Sequence, residues 1–321
     1  MKINKKLKYA LALSGGGARG LVHVGVLRAL EETGFPPPSL IAGTSMGAIV
    51  GGLYASGMKG PALSRYVLEE LDVPGFMESP VFKLDGPLGK LFQTGRIIGN
   101  IATKTGFDSG KKVWAILERL TGGKKIEDCE IPFLCNAVDL GSGRELIFRS
   151  GSLSRAIRAS MAFPVVFEPL VEGDLCMVDG GIADNLPVKS AREAGRDLGI
   201  KRVLAVDTRR WRNLPPAAFK NGISVVMRCF EAMVHVSETE PAVQPRRAGR
   251  AFPPVLMLHA ADRTSVLDFS RKKQLLELGR DAVYESQAAL GAFFGGGVKA
   301  ALARRSLSGC GIQTDAYYGD A

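Results

Sequence analysis

Gly43-Thr44-Ser45-Met46-Gly47 sets a serine between two glycines, after an apolar run and before small, uncharged residues that continue to Met58. A Gly-x-Ser-x-Gly turn between a strand and a helix strains the serine backbone and exposes its hydroxyl, and glycines at the flanks let the helix pack close. With 39 glycines and 20 serines in 321 residues, on the order of 0.3 such matches arise by chance, so the context decides. A nucleophilic serine needs a base within hydrogen-bond reach and donors for the oxyanion that develops on the attacked carbonyl. Asp179 ends the apolar run Met177-Val178 and precedes Gly180 and Gly181, which allow close approach. An aspartate with a reference pKa of about 3.9 is a weak base, so a desolvated site has to raise it. Backbone donors are offered by Ser14-Gly15-Gly16-Gly17-Ala18-Arg19-Gly20, a loop between a short apolar strand and a helix.

Gly15, Gly17 and Gly20 also satisfy the Gly-x-Gly-x-x-Gly dinucleotide fingerprint. That fingerprint wants an acidic residue about 20 positions on, at the end of the second strand, to hold a ribose. No acid lies between Glu32 and Lys59, so the oxyanion role is favoured. The same uncharged stretch is long enough to raise the question of a membrane span. Pro36 to Pro38 and five glycines leave too little apolar side chain for one, and a strand, a turn and a buried helix fit better.

These residues need a scaffold that brings several strand ends together. Apolar runs at Tyr9–Leu13, before Ser45, and at 133–138, 145–148, 175–178, 202–207 and 255–259 read as strands. Helical spacing is seen after Gly20 and at 153–160, 188–195, 222–236 and 271–287. Strands alternating with helices argue for an α/β fold with a mostly parallel sheet covered on both faces. A domain over residues 1–290 is expected, with 208–253 as a divergent insertion or loop region and 291–321 as a flexible tail.

The net charge is +10, with four lysines in residues 1–8 and a local cluster of Lys201, Arg202, Arg209, Arg210, Arg212 and Lys220. Such charge attracts anionic lipid headgroups, and peripheral attachment to an anionic membrane is the expectation it carries. No zinc finger, aromatic ribonucleoprotein motif or basic zipper supports nucleic-acid binding. Five cysteines without Cys-x-x-Cys spacing argue against a disulfide framework or a zinc site and for a reducing, cytoplasmic setting. The basic start lacks the apolar length and cleavage site of a signal peptide. Cys135 and Cys176 read as core residues, and Asp139 and Asp184 as turn or cap residues. His23 follows the glycine loop on the inner face of the first helix and suits packing or bracing.

Taken in order, the glycine loop 15–20, Gly43-Thr44-Ser45-Met46-Gly47, the block Ala159-Ser160-Met161-Ala162-Phe163-Pro164-Val165-Val166-Phe167-Glu168-Pro169, and Asp179-Gly180-Gly181 with Asn185-Leu186-Pro187 resemble the patatin-like phospholipases. The likeness is in particular to short bacterial members related to the neuropathy target esterase group. It runs from about Lys8 to Asp207 and implies a three-layer α/β/α sandwich that hydrolyses lipid acyl esters by a Ser-Asp dyad. Carried over, Ser45 is the nucleophile and Asp179 the base. The oxyanion hole is drawn from Gly15, Gly16, Gly17 and Ala18, with Arg19 and Gly20 supporting the loop. The substrates implied are phospholipids, lysophospholipids or other acyl esters, with no cofactor and no metal, calcium in particular. The glycine usual in the family between Pro164 and Phe167 is absent, and residues 208–253 follow no family pattern. Two other readings stand beside this one: an α/β-hydrolase triad of Ser45, Asp207 and His259, whose chain order fits that fold, and a non-catalytic lipid-binding regulator on the same scaffold.

Overall fold

The computed structural model describes residues 3–78, 105–208, 211, 213–219, 222–239, 254–260 and 264–296. Its main sheet has the order β10-β9-β1-β2-β4-β8-β7, with β5 paired to β4. The strands are β1 (Tyr9–Leu13), β2 (Leu40–Gly43), β4 (Phe133–Asp139), β5 (Arg144–Phe148), β7 (Leu170–Glu172), β8 (Leu175–Asp179), β9 (Arg202–Asp207) and β10 (Val255–His259). From β10 to β4 all neighbours are parallel, whereas β5, β8 and β7 pair antiparallel. Two three-residue strands, β3 (Gly106–Asp108) and β6 (Val165–Phe167), form a separate parallel pair. In β6, Val165 stands at φ 74°, a left-handed conformation for a β-branched residue, in the interval between Pro164 and Phe167 that lacks a glycine.

The two faces of β1 differ in side-chain size, and the layers follow from that difference. Tyr9, Leu11 and Leu13 point to the larger core with Ile41, Phe133 and Leu204, under α1 (Val22–Glu32), α2 (Met46–Ala55), α8 (Lys272–Glu285) and α9 (Gln287–Phe294). Ala10 and Ala12 point to the smaller core with Leu40, Ala42 and Val203, under α6 (Val188–Gly195). This is the three-layer α/β/α arrangement. The remaining α-helices of six residues or more are α3 (Gly60–Arg65), α4 (Lys111–Thr121), α5 (Leu153–Ser160) and α7 (Gly222–Thr239).

The expected domain end at 290 falls inside α9. Phe293 and Phe294 are buried, Phe294 stacks on Phe35 at 4.6 Å, and Gly295 bridges to Ile3, so the folded unit continues past that point. The expected tail beyond Gly296 lies outside the described residues, as do Lys2, Arg209, Arg210, Arg212 and Lys220. The uncharged stretch after Glu32 folds as β2, the serine turn and α2. Among the described residues no helix is long and apolar enough to cross a membrane.

Candidate active site

Ser45 caps α2 with φ 55° and ψ −119°, and it shares with Val165 a positive φ on a side chain other than glycine. The conformation persists because neighbours on both sides fix it. A Cβ on Gly43 would stand 2.4 Å from the Gly47 carbonyl oxygen, and one on Gly47 would stand 2.3 Å from that of Leu13, so both glycines are required for α2 to close on β1 and β2. The Ser45 N–H donates to Ser160 Oγ at 2.9 Å, which ties the turn to the end of α5.

Register brings Asp179 to the same height. Gly43 pairs with Cys135 and Asp179 with Ala137, so Ser45, two residues beyond Gly43, stands level with Asp179 across β4. The Asp179 carboxyl is buried, and its Oδ1 accepts the Gly181 N–H at 2.7 Å in the turn Gly180–Ile182. Burial raises its pKa from 3.8 to about 6, against the opposing pull of the nearby Ser45 hydroxyl and the Gly181 N–H. Oδ2 is buried without a closed hydrogen bond. The hydroxyl is therefore near enough to favour the carboxylate without closing a hydrogen bond to Oδ2.

A buried polar node holds the two turns together. Thr44 Oγ1 donates to Asn136 Oδ1 at 2.8 Å and to the Asp184 carbonyl at 3.0 Å. The Asn136 amide donates to the Asp184 carbonyl at 2.8 Å, with Glu145 at 2.9 Å and the Gly180 carbonyl at 3.2 Å. Asn136 and Ser160 escape sequence reasoning. The available signal was a wholly buried asparagine in the otherwise apolar run Phe133-Leu134-Cys135-Asn136-Ala137-Val138. Asp184 contributes its carbonyl here, while Asp139 caps the turn at Gly141 and Ser142 through its side chain.

The glycine loop reaches Ser45: a Cβ on Gly15 would lie 3.2 Å from Ser45 Cβ. Two of its four expected oxyanion donors are already used. The Gly15 N–H donates to the Asn185 carbonyl at 3.0 Å and the Ala18 N–H to the Val266 carbonyl at 2.8 Å. Those bonds fix the loop on both sides and occupy the N–H groups of Gly15 and Ala18 in this structure. No bond within the described residues takes the N–H of Gly16 or Gly17. Arg19 and Gly20 lie in the tight turn Gly17–Leu21, where a Cβ on Gly20 would stand 2.4 Å from the Met46 side chain. His23 braces the loop from below, its Nε2–H donating to the Ser14 carbonyl at 2.8 Å, and burial lowers its pKa to about 4.

The rival triad does not assemble. His259 Nδ1 lies 3.6 Å from Asp207 Oδ2 on the paired strands β10 and β9. Ser45 follows β2, three strands from β10 in the sheet order, which is about 14 Å at 4.8 Å per strand. Cys135 is buried in the core and Cys176 half-buried.

The sequence model of the family described as Patatin-like phospholipase matches residues 11–192. Lysophospholipase NTE1 of Mycosarcoma maydis is 34% identical over 220 residues, covering 68% of this chain and 10% of that protein. Patatin-like phospholipase domain-containing protein 6 of Homo sapiens is 34% identical over 201 residues, covering 62% of this chain and 13% of that protein. This chain thus spans only between 10% and 13% of the length of those relatives. Among solved structures, VipD from Legionella pneumophila is similar with a TM-score of 0.46 and 15% identity, covering 87% of this chain and 66% of that one.

Proposed function

This chain is a member of the patatin-like phospholipase family, and from that premise we propose that it hydrolyses carboxylic esters of lipid acyl chains, as a phospholipase A or lysophospholipase, with Ser45 as nucleophile and Asp179 as base. The fungal relatives named lysophospholipases point to phospholipid or lysophospholipid as the substrate class. Ionised Asp179 takes the Ser45 Oγ proton as Oγ attacks the acyl carbonyl carbon. The N–H groups of Gly16 and Gly17 hold the oxyanion of the tetrahedral intermediate. Its collapse expels the alcohol, which receives the proton from Asp179 and leaves the acyl group on Ser45. A water molecule then attacks the acyl-serine, gives a proton to Asp179, and the returning proton restores the Ser45 hydroxyl as the fatty acid departs. The work is done on the cytoplasmic side, at the surface of an anionic membrane.

The observation that carries this reading is the buried Asp179 carboxyl, one oxygen unpartnered, next to a serine in a strained turn. A fluorophosphonate probe followed by mass spectrometry of the adduct tests it. Labelling is expected on Ser45 and lost in Ser45→Ala. An adduct on another serine, unaffected by Ser45→Ala, would overturn the assignment.

A further inference from the structure

Helix α7 carries an apolar stripe outward. Val225, Val226, Cys229 and Met233 share one face at helical spacing, and all four are exposed, Val225 and Val226 at 45% and Met233 at 53%. A surface helix ordinarily turns such a stripe toward the core. The inner side of α7 rests on the site instead: Phe230 meets Phe163 edge-on at 6.1 Å, and the helix packs on the Gly180–Ile182 turn that follows Asp179. Trp211 is also exposed and lies against the helix, its ring 3.6 Å from the Arg228 guanidinium carbon. With Phe219, five of the nine large hydrophobic side chains exposed among the described residues come from this one segment.

We infer that this face of α7, with Trp211 and Phe219, is the surface through which the protein docks on an anionic lipid bilayer, seating the Ser45 site against its acyl esters. The inference rests on the lipid-hydrolase reading for its purpose, but the binding it describes is separate from catalysis. Arg228 is ion-paired to Glu231 at 2.6 Å, and the sequence from Thr208 to Met227 adds Arg209, Arg210, Arg212 and Lys220 and no acid. An apolar stripe with cations and a tryptophan beside it has the make-up of a helix lying in the headgroup region, about 5–10 Å deep by general experience. A second copy of the chain fits less well, because a sequence rich in cations and without acids beside Trp211 suits an anionic surface rather than a like-charged copy. Lys5 and Lys8 serve another end of the molecule. Lys5 donates to the Gly34 carbonyl and Lys8 to the Leu198 carbonyl before β1 begins, whereas the glycine loop and Ser45 follow the strands' far ends.

Sedimentation of the full chain with vesicles of phosphatidylcholine alone and of phosphatidylcholine with phosphatidylserine tests this. The probes are Ser45→Ala protein, which cannot turn lipid over, and a Val225→Glu/Val226→Glu/Met233→Glu variant. Binding is expected on the anionic vesicles, falling as salt rises, and at least about tenfold weaker for the triple variant. In a Trp114→Phe background, Trp211 emission should move to the blue on those vesicles. The triple variant should keep its fluorophosphonate labelling at Ser45 and its turnover of a soluble short-chain ester, which shows that it is folded. Unchanged vesicle binding by that variant, or a wild-type dimer in solution that the variant dissolves, would overturn the inference. Failure of Ser45 to label in wild type would instead strike the hydrolase reading.

Discussion

Replacing Asp179 by asparagine should abolish ester hydrolysis and, at neutral pH, make the protein more stable. The carboxyl is buried, and desolvation raises its pKa from 3.8 to about 6. The native state therefore holds this proton more tightly than the unfolded chain, and stability must fall as pH rises. The contribution is fully present below about pH 4 and is lost as pH passes through about 6, the native-state value. At 1.36 kcal/mol per tenfold change in acidity, that displacement corresponds to about 3 kcal/mol. The amide of Asp179→Asn cannot titrate, so any difference between amide and carboxylic acid in packing or hydrogen bonding is constant with pH. Urea unfolding of wild type and Asp179→Asn between pH 4 and 7.5 isolates the effect, because groups common to both proteins, His23 included, cancel in the difference. The variant's advantage should grow by about 2 kcal/mol across that range, part of the full displacement being already lost at pH 4. A difference that stays flat would mean that Asp179 is not desolvated, and the account of how it becomes a base would fail.

The same ionisation governs activity: kcat/KM for a soluble ester should rise with pH to a plateau, with its midpoint at about 6, and Asp179→Asn should lower it by about 10² to 10⁴ on that plateau and by less as pH falls below the midpoint. A midpoint near the ordinary aspartate value, or a variant with near-normal turnover, would contradict the dyad. Val165→Gly should stabilise the protein by about 0.5–1 kcal/mol in thermal or urea unfolding, because relief of a left-handed β-branched residue exceeds the entropy that glycine costs. A destabilised variant would show that the Val165 side chain contributes more by packing than its backbone loses.

Strands β1, β2, β4 and β9 are legible because both of their faces are buried, which leaves nearly continuous apolar runs. Strands β3, β6 and β7 are three residues long and show no period that could distinguish them from loop. Helix α9 is hidden by the glycines that follow it, and contacts with residues almost the whole chain away, Phe294 with Tyr9 and Phe35 and Gly295 with Ile3, reveal that it closes the core. The Ser45 elbow and the Asp179 turn are readable because strain and close approach demand glycine there. Which loop N–H groups remain to donate is not readable, since the carbonyls that occupy Gly15 and Ala18 come from Asn185 and Val266. Asn136 reads as an interruption of a strand until Thr44 and Asp184 are seen to converge on it.

Burial explains why a carboxylate, rather than an imidazole, serves as the base in the proposed mechanism. Removing water penalises whichever form is charged, so it acts in opposite directions on acids and bases. In this fold it lowers His23 to about 4 and raises Asp179 to about 6, which reverses the ordinary order of the two side chains. His23 is then neutral at physiological pH, with one ring nitrogen committed to the Ser14 carbonyl, and serves to hold the glycine loop. Asp179 acquires the basicity that a histidine has in water, where its reference value is about 6.5. The Gly181 N–H limits the rise by bonding one carboxyl oxygen and leaves the other to face the serine. A more polar surrounding would return Asp179 toward its ordinary acidity and weaken it as a base. The close packing at the elbow thus does two jobs, since the contacts that hold Ser45 in its turn belong to the same packing that buries Asp179 and makes it a better base.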